Sequence, residues 1–188
     1  MIRQVEYFEQ AGPANTVRCL EILSGLVGEG CSDFIVASTT GQTGVAAAEA
    51  LQGRSVNLVV VGHSVGFSGP NRDDFLPQNV ARIKELGGVI YRGTILTHSL
   101  ETGLAAAYGG SYPTLLIANT LRRLGQGLKV CCEIVMEACD GGLVVEDREV
   151  AAMAGTGRGA DTVVLIRSKA SKRFLELKVL EILAKPRE

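Results

Sequence analysis

Apolar residues recur along this chain with two different periods, and the switches between them mark out its elements. From Thr16 onward, Val17, Leu20, Leu23 and Val27 fall on one side of a helix that Asn15 or Thr16 can cap and that ends near Gly28-Glu29-Gly30. Phe34-Ile35-Val36-Ala37 is a short continuous apolar run, which predicts a buried strand, and the Ala-rich stretch 44–52 predicts a helix. The pattern then repeats. Residues 56–61, rich in β-branched side chains, predict a second buried strand. Residues 75–86 predict a helix with Pro77 in its first turn and Gly87-Gly88 at its close, and Val89-Ile90-Tyr91 opens a third strand. Apolar strands alternating with helices predict a mostly parallel sheet covered on both faces.

The middle of the chain is helical, with stretches at 100–108, 113–124 and 128–139. In the last, Val130 with Ile134, and Cys131 with Val135 and Cys139, keep helical rather than alternating spacing. Strands return at 150–154, 162–166 and 179–183. Only the loop GTGRGAD separates the first two, too short for a crossover helix, so they are expected to pair antiparallel. With no repeat, low-complexity tract or linker, residues 1–188 read as a single domain of the α/β class.

Composition narrows the function. Nineteen Lys and Arg against twenty Asp and Glu leave a net charge of −1, without the basic excess of a nucleic-acid binder. Twenty-three glycines beside five Phe, four Tyr and no Trp imply a core built from aliphatic side chains. No apolar run reaches the roughly 18 residues of a membrane span, and the polar start MIRQVEYFEQ lacks a signal-peptide apolar region. A cytoplasmic protein with no membrane partner is expected. Five cysteines without a CxxC pair read as reduced core thiols, and with only two histidines no metal site is expected.

The segment richest in chemistry is Ser38-Thr39-Thr40-Gly41-Gln42-Thr43-Gly44, which leaves the first strand and enters the Ala-rich helix. Phosphate is held by backbone N–H groups at a helix start, where unpaired donors and the positive dipole end meet. Gly41 and Gly44 permit close approach, while Thr39, Thr40 and Thr43 add hydroxyls. A plain strand-to-helix turn with capping threonines is the alternative. The loop is neither GxxxxGK[ST] nor GxGxxG, and it has no cation to stabilise phosphoryl transfer. It reads as a grip on phosphate, not a machine for moving it. Gly62-His63-Ser64, Thr97-His98 and Gly155-Thr156 also follow strands, and the first two open at the same sheet edge. The connection 62–76, with Phe67 and Phe75, has the length of a lid. His63 and His98 are candidates for proton transfer, but with no neighbouring nucleophile or orienting carboxylate a simple polar contact to ligand or backbone is the preferred reading of each.

IVASTTGQTGVAAAEAL resembles the effector-binding segment of the pyruvate kinase C-terminal domain, and REVAAMAGTGRGADTVVLIRSK is similar to that domain's closing hairpin. With NTLRRLGQGLKV, these stretches look most like the small stand-alone proteins of the pyruvate kinase alpha/beta domain-like family. The resemblance implies a three-layer α/β/α fold with a mixed, mostly parallel sheet in which one late strand runs against the rest. It implies no pyruvate kinase activity, because the catalytic barrel has no counterpart. Carried over by position, the phosphate grip falls on Thr39, Thr40, Gly41, Gln42 and Thr43, with Gln42 where the kinase loop has an arginine. One phosphate suits that charge better than a bisphosphate, and the resemblance suggests flavin mononucleotide (FMN) as ligand. The leading expectation is a binding domain for a phosphorylated small molecule. An enzyme, either a flavin-dependent oxidoreductase or one acting on a phosphorylated metabolite through His63 or His98, is the first alternative, and a structural oligomeric module the second. The apolar middle helices argue for a homo-oligomer.

Overall fold

Each early β-α unit forms where the apolar pattern places it. The computed structural model describes residues 2–94 and 99–187. Its strands are β1 (Glu6–Phe8), β2 (Asp33–Ala37), β3 (Asn57–Gly62), β4 (Val89–Arg92), β5 (Glu149–Ala154), β6 (Thr162–Arg167) and β7 (Lys178–Pro186). They join one sheet in the order β1-β7-β6-β5-β2-β3-β4. Neighbours pair in parallel except β6, which runs antiparallel to both β5 and β7. Ala151 stands opposite Leu165 and Met153 opposite Val163, so the short GTGRGAD loop closes the expected hairpin. The helices are α1 (Thr16–Gly25), α2 (Gln42–Ala50), α3 (Pro77–Glu85), α4 (Leu100–Tyr108), α5 (Pro113–Arg122) and α6 (Gln126–Asp140).

Strand alternation divides the interior into two cores. Phe34, Val36, Val60 and Met153 face α1, α2 and α3, which contribute Cys19, Leu23, Ala47, Ala48 and Ile83. Ile35, Val59, Ala152 and Val164 face the opposite way onto α6, which contributes Leu128, Cys131, Cys132, Val135 and Ala138. The result is the three-layer α/β/α architecture. α5 packs on α6, and α4 rests on α5 without burying any residue of its own. All five cysteines are free, and burial pushes the Cys19 and Cys132 thiols up to about 12, which suits packing rather than reactivity.

Three details differ from the sequence expectation. β1 was not anticipated: three residues form a strand only because β7 offers its free edge, pairing Glu6 with Ala184. α1 turns Cys19 and Leu23 inward, with Leu26 following in the short 3-10 turn, while Val17 is exposed; the helix itself stops at Gly25. Neither proposed cap acts as one. Asn15 donates to the Gln10 carbonyl, and the Thr16 hydroxyl accepts the Ala160 amide, tying the start of α1 to the loop before β6.

Gly44 sets how closely α2 approaches the sheet, since a Cβ there would lie 2.5 Å from Val60 Cγ1 and 2.9 Å from Ile83 Cδ1. Gly44→Ala is expected to lower stability by about 1–3 kcal/mol in urea unfolding through overpacking. Gly103→Ala, inside α4 where a Cβ meets nothing within 4 Å, is expected to raise it by about 0.5–1 kcal/mol.

Candidate functional site

The C-terminal ends of β2 and β3 converge on a cleft of ≈ 730 Å³, a size that accommodates a nucleotide-scale ligand. Its first wall is the segment between β2 and α2, where Ser38, Thr39, Thr40, Gln42 and Thr43 line the space. Gly41 caps α2 with φ 89°, and a Cβ on it would lie 2.6 Å from Asn79 Cβ. Gly41 and Gly44 are therefore packing positions that let the helix start lie where it does, outside the cleft lining. The Thr40 carbonyl is engaged by the protein, accepting from the Leu76 amide at 3.1 Å and from Asn79 Nδ2 at 2.9 Å. The Gly44 amide donates to Ser38 Oγ at 3.3 Å. Among the described residues, the amides of Thr39, Thr40, Gly41, Gln42 and Thr43 find no protein acceptor.

The second wall is the loop after β3. Gly62 and His63 line the cleft, as do Phe67, Ser68, Arg72 and Asp74 further on, whereas Ser64 does not. Phe75 is buried beneath the loop, filling the space over Gly62, while Phe67 stays half-exposed with its ring centroid 4.1 Å from that of His63. The loop is braced internally by Gly66 N–H to the Arg72 carbonyl and Arg72 N–H to the Gly69 carbonyl. His63 Nδ1 is buried without a hydrogen-bond partner, and Asp74 Oδ2 stands 3.7 Å away, beyond hydrogen-bonding reach. Desolvation lowers the His63 pKa; Lys129 lowers it further, and Asp74 opposes both only in part. Burial thus favours the neutral imidazole, the form that accepts a proton.

The third wall is the glycine-rich turn between β5 and β6. Gly155, Gly157, Arg158 and Gly159 line the cleft; Thr156 does not. Fully buried Asp161 organises this turn, its Oδ2 accepting the Gly12 and Thr156 amides at 3.0 Å each and its Oδ1 the Thr162 hydroxyl at 2.8 Å. The Thr156 amide is thus already committed to the protein. Arg158 forms no ion pair with any described residue, so its charge is available to the cleft. Thr97 and His98 lie outside the described residues.

The floor comes from α6, and the sequence reading did not assign it. Lys129, Glu133 and Glu137 recur every fourth residue, line the cleft, and are buried to 1 %, 3 % and 3 % exposure. Their spacing was a visible signal, since a charged face on an otherwise apolar helix must point at something. Lys129 and Glu133 form a buried ion pair, and desolvation lowers the Lys129 pKa. Desolvation, with the Glu133 charge adding to it, raises Glu137 to about 8. Its Oε2 has no hydrogen-bond partner.

No family model matches the chain. Among solved structures, O-ureido-L-serine synthase is similar over 56 % of this chain and 38 % of that one, at 21 % identity and a TM-score of 0.30. So distant a likeness bears on neither fold nor chemistry. Among the described residues, no group of His, Cys, Asp and Glu could hold a metal, and no helix is long and apolar enough to cross a membrane.

A neutral carboxyl in the folded state against an ionised one in the unfolded chain makes Glu137 a pH-dependent destabiliser. Its folded pKa lies above the unfolded value of 4.5, so stability falls as pH rises from about 4.5 to about 8 and then levels. Glu137→Gln is expected to match the wild type near pH 4.5 and to exceed it increasingly towards pH 8, by a few kcal/mol. Thermal or urea unfolding across that range measures the difference.

Proposed function

We propose that the cleft binds a phosphorylated small molecule in a cytoplasmic protein, with FMN the leading ligand. The observation that carries the reading is the set of unpaired amides at residues 39–43 at the start of α2, in a segment that lines the same cleft as Arg158. Helix-start amides and the Arg158 guanidinium together suit a single phosphate. The hydroxyls of Thr39, Thr40 and Thr43 supply further donors. For the rest of FMN, Val61, Phe67, Leu76, Val130 and Ile134 offer an apolar lining, and the cleft volume is sufficient. Bound there, FMN would supply hydride or one-electron chemistry; the chain's residues would hold its phosphate and exclude water from its ring. The resemblance to the stand-alone pyruvate kinase alpha/beta domain-like proteins agrees with this choice.

A second reading is favoured by one observation: neutral His63 lies in the same cleft as buried Lys129, Glu133 and Glu137, an arrangement suited to proton transfer on a phosphorylated metabolite. The exposed apolar side chains of α4, Leu100, Leu104 and Tyr108, support a homo-oligomer that covers them with a second copy.

FMN is expected to bind at least tenfold more tightly than riboflavin, which lacks the phosphate, and inorganic phosphate is expected to compete with it. Arg158→Ala and Thr43→Val should each weaken FMN by roughly tenfold, about 1.4 kcal/mol, in calorimetric titration. Equal affinity for FMN and riboflavin would contradict the phosphate assignment. For the second reading, phosphate esters incubated in deuterated water and followed by NMR should show turnover that His63→Ala slows by about 10²–10⁴-fold. Unchanged turnover would remove His63 from the chemistry.

A further inference from the structure

Glu137 is a carboxyl group built into the ligand cleft with no hydrogen-bond partner among the described residues. It is 3 % exposed, lines the cleft, leaves Oε2 without a hydrogen bond, and makes no side-chain hydrogen bond to any described residue. A buried acceptor left in that condition costs about 1–3 kcal/mol, so its retention calls for a partner that arrives from outside. The row Lys129, Glu133, Glu137 extends for about 12 Å along α6 at 1.5 Å per residue, long enough to accompany a ligand of nucleotide length.

The described groups around Glu137 point to the chemistry of that partner. On α6 itself, Glu133 and Asp140 repel an anionic Glu137 and Lys129 attracts one. Lys129 is held by Glu133 and feels Arg122 of α5. From the sheet, β4 brings Tyr91, whose phenol is raised by burial, by Glu137 and by Asp140. β2, β3 and β5 bring Ile35, Val59, Val61, Ala152 and Ala154, none of them charged. His63, after β3, is neutral. An anionic ligand end would meet two acidic neighbours, and an ammonium would compete with Lys129. A protonated carboxyl offers one O–H donor and one carbonyl acceptor side by side.

Resting on the phosphate reading, we infer that Glu137 recognises the uncharged donor–acceptor edge of a heterocycle, the C=O and N–H of an amide or imide, on a molecule whose phosphate sits at residues 39–43. The Glu137 O–H donates to the ring carbonyl, and its own carbonyl accepts from the ring N–H. FMN carries such an edge. The pKa near 8 agrees with a carboxyl that enters this pair as the neutral acid.

The test is FMN affinity by calorimetry from pH 7 to pH 9, on wild type, Glu137→Gln and Glu137→Leu, with inorganic phosphate titrated in parallel. In the wild type, affinity should fall about tenfold over this range as Glu137 ionises. Glu137→Gln, which keeps a neutral donor and acceptor, should bind at pH 7 within threefold of wild type and lose most of the slope. Glu137→Leu should lose at least tenfold for FMN at pH 7 while binding inorganic phosphate like the wild type. Equal slopes in wild type and Glu137→Gln, wild-type affinity that rises with pH, or wild-type FMN affinity in Glu137→Leu would overturn the inference and leave the phosphate site standing. Binding of phosphate without FMN would do the same, whereas failure of both ligands to bind would remove the phosphate reading and this inference together.

Discussion

The shape of the site depends on how tightly α2 is pressed against the sheet. Gly44 lets the helix lie where any side chain would strike Val60 and Ile83, and Gly41 supplies the left-handed turn that starts it. Held that way, residues 39–43 cannot relax to pair their amides with the protein, because the Thr40 carbonyl and Ser38 hydroxyl are already engaged elsewhere. Their amides therefore remain without a partner among the described residues, at a fixed place. Polar groups fixed without partners are costly, and a helix start is where such donors find an anion.

The floor of the cleft shows the same logic in a side chain. α6 is buried through most of its length against the sheet, which forces its charged face into the cleft instead of into solvent. Lys129 and Glu133 satisfy each other, while Glu137 is left to give up its charge. In the third wall, Asp161 holds the glycine-rich turn and thereby places Arg158 in the cleft lining. The cleft is consequently lined by these polar groups together with aliphatic side chains and Phe67.

Much of this was readable in the sequence, for identifiable reasons. Apolar runs in β2, β3, β5 and β6 carried their own assignment, since strands buried on both faces have no polar side to confuse the pattern. The antiparallel hairpin followed from a loop too short for any other path. β1 escaped because a three-residue edge strand is defined by its partner 178 positions away, Glu6 against Ala184, and not by its own pattern. On α1 and the 3-10 turn after it, Leu20, Leu23 and Val27 pack on the core as their spacing predicts, whereas Val17 is exposed and Cys19 takes the buried place in the first turns. At the site, strand ends located the threonine segment and His63, but Ser64 and Thr156 fall outside the lining because loop direction is a tertiary property. The α6 row was written in the spacing of residues 129, 133 and 137, yet a charged helix face is ordinarily solvated, and only burial by the other elements separates the two cases.

The most direct measurement is a ¹H–¹⁵N correlation spectrum of the labelled protein titrated with FMN and, separately, with inorganic phosphate. The account predicts that both ligands shift the amide signals of residues 39–43 most strongly, and that FMN alone also shifts those around Glu137. Amide signals of residues 39–43 that stay fixed while either ligand is bound would contradict it.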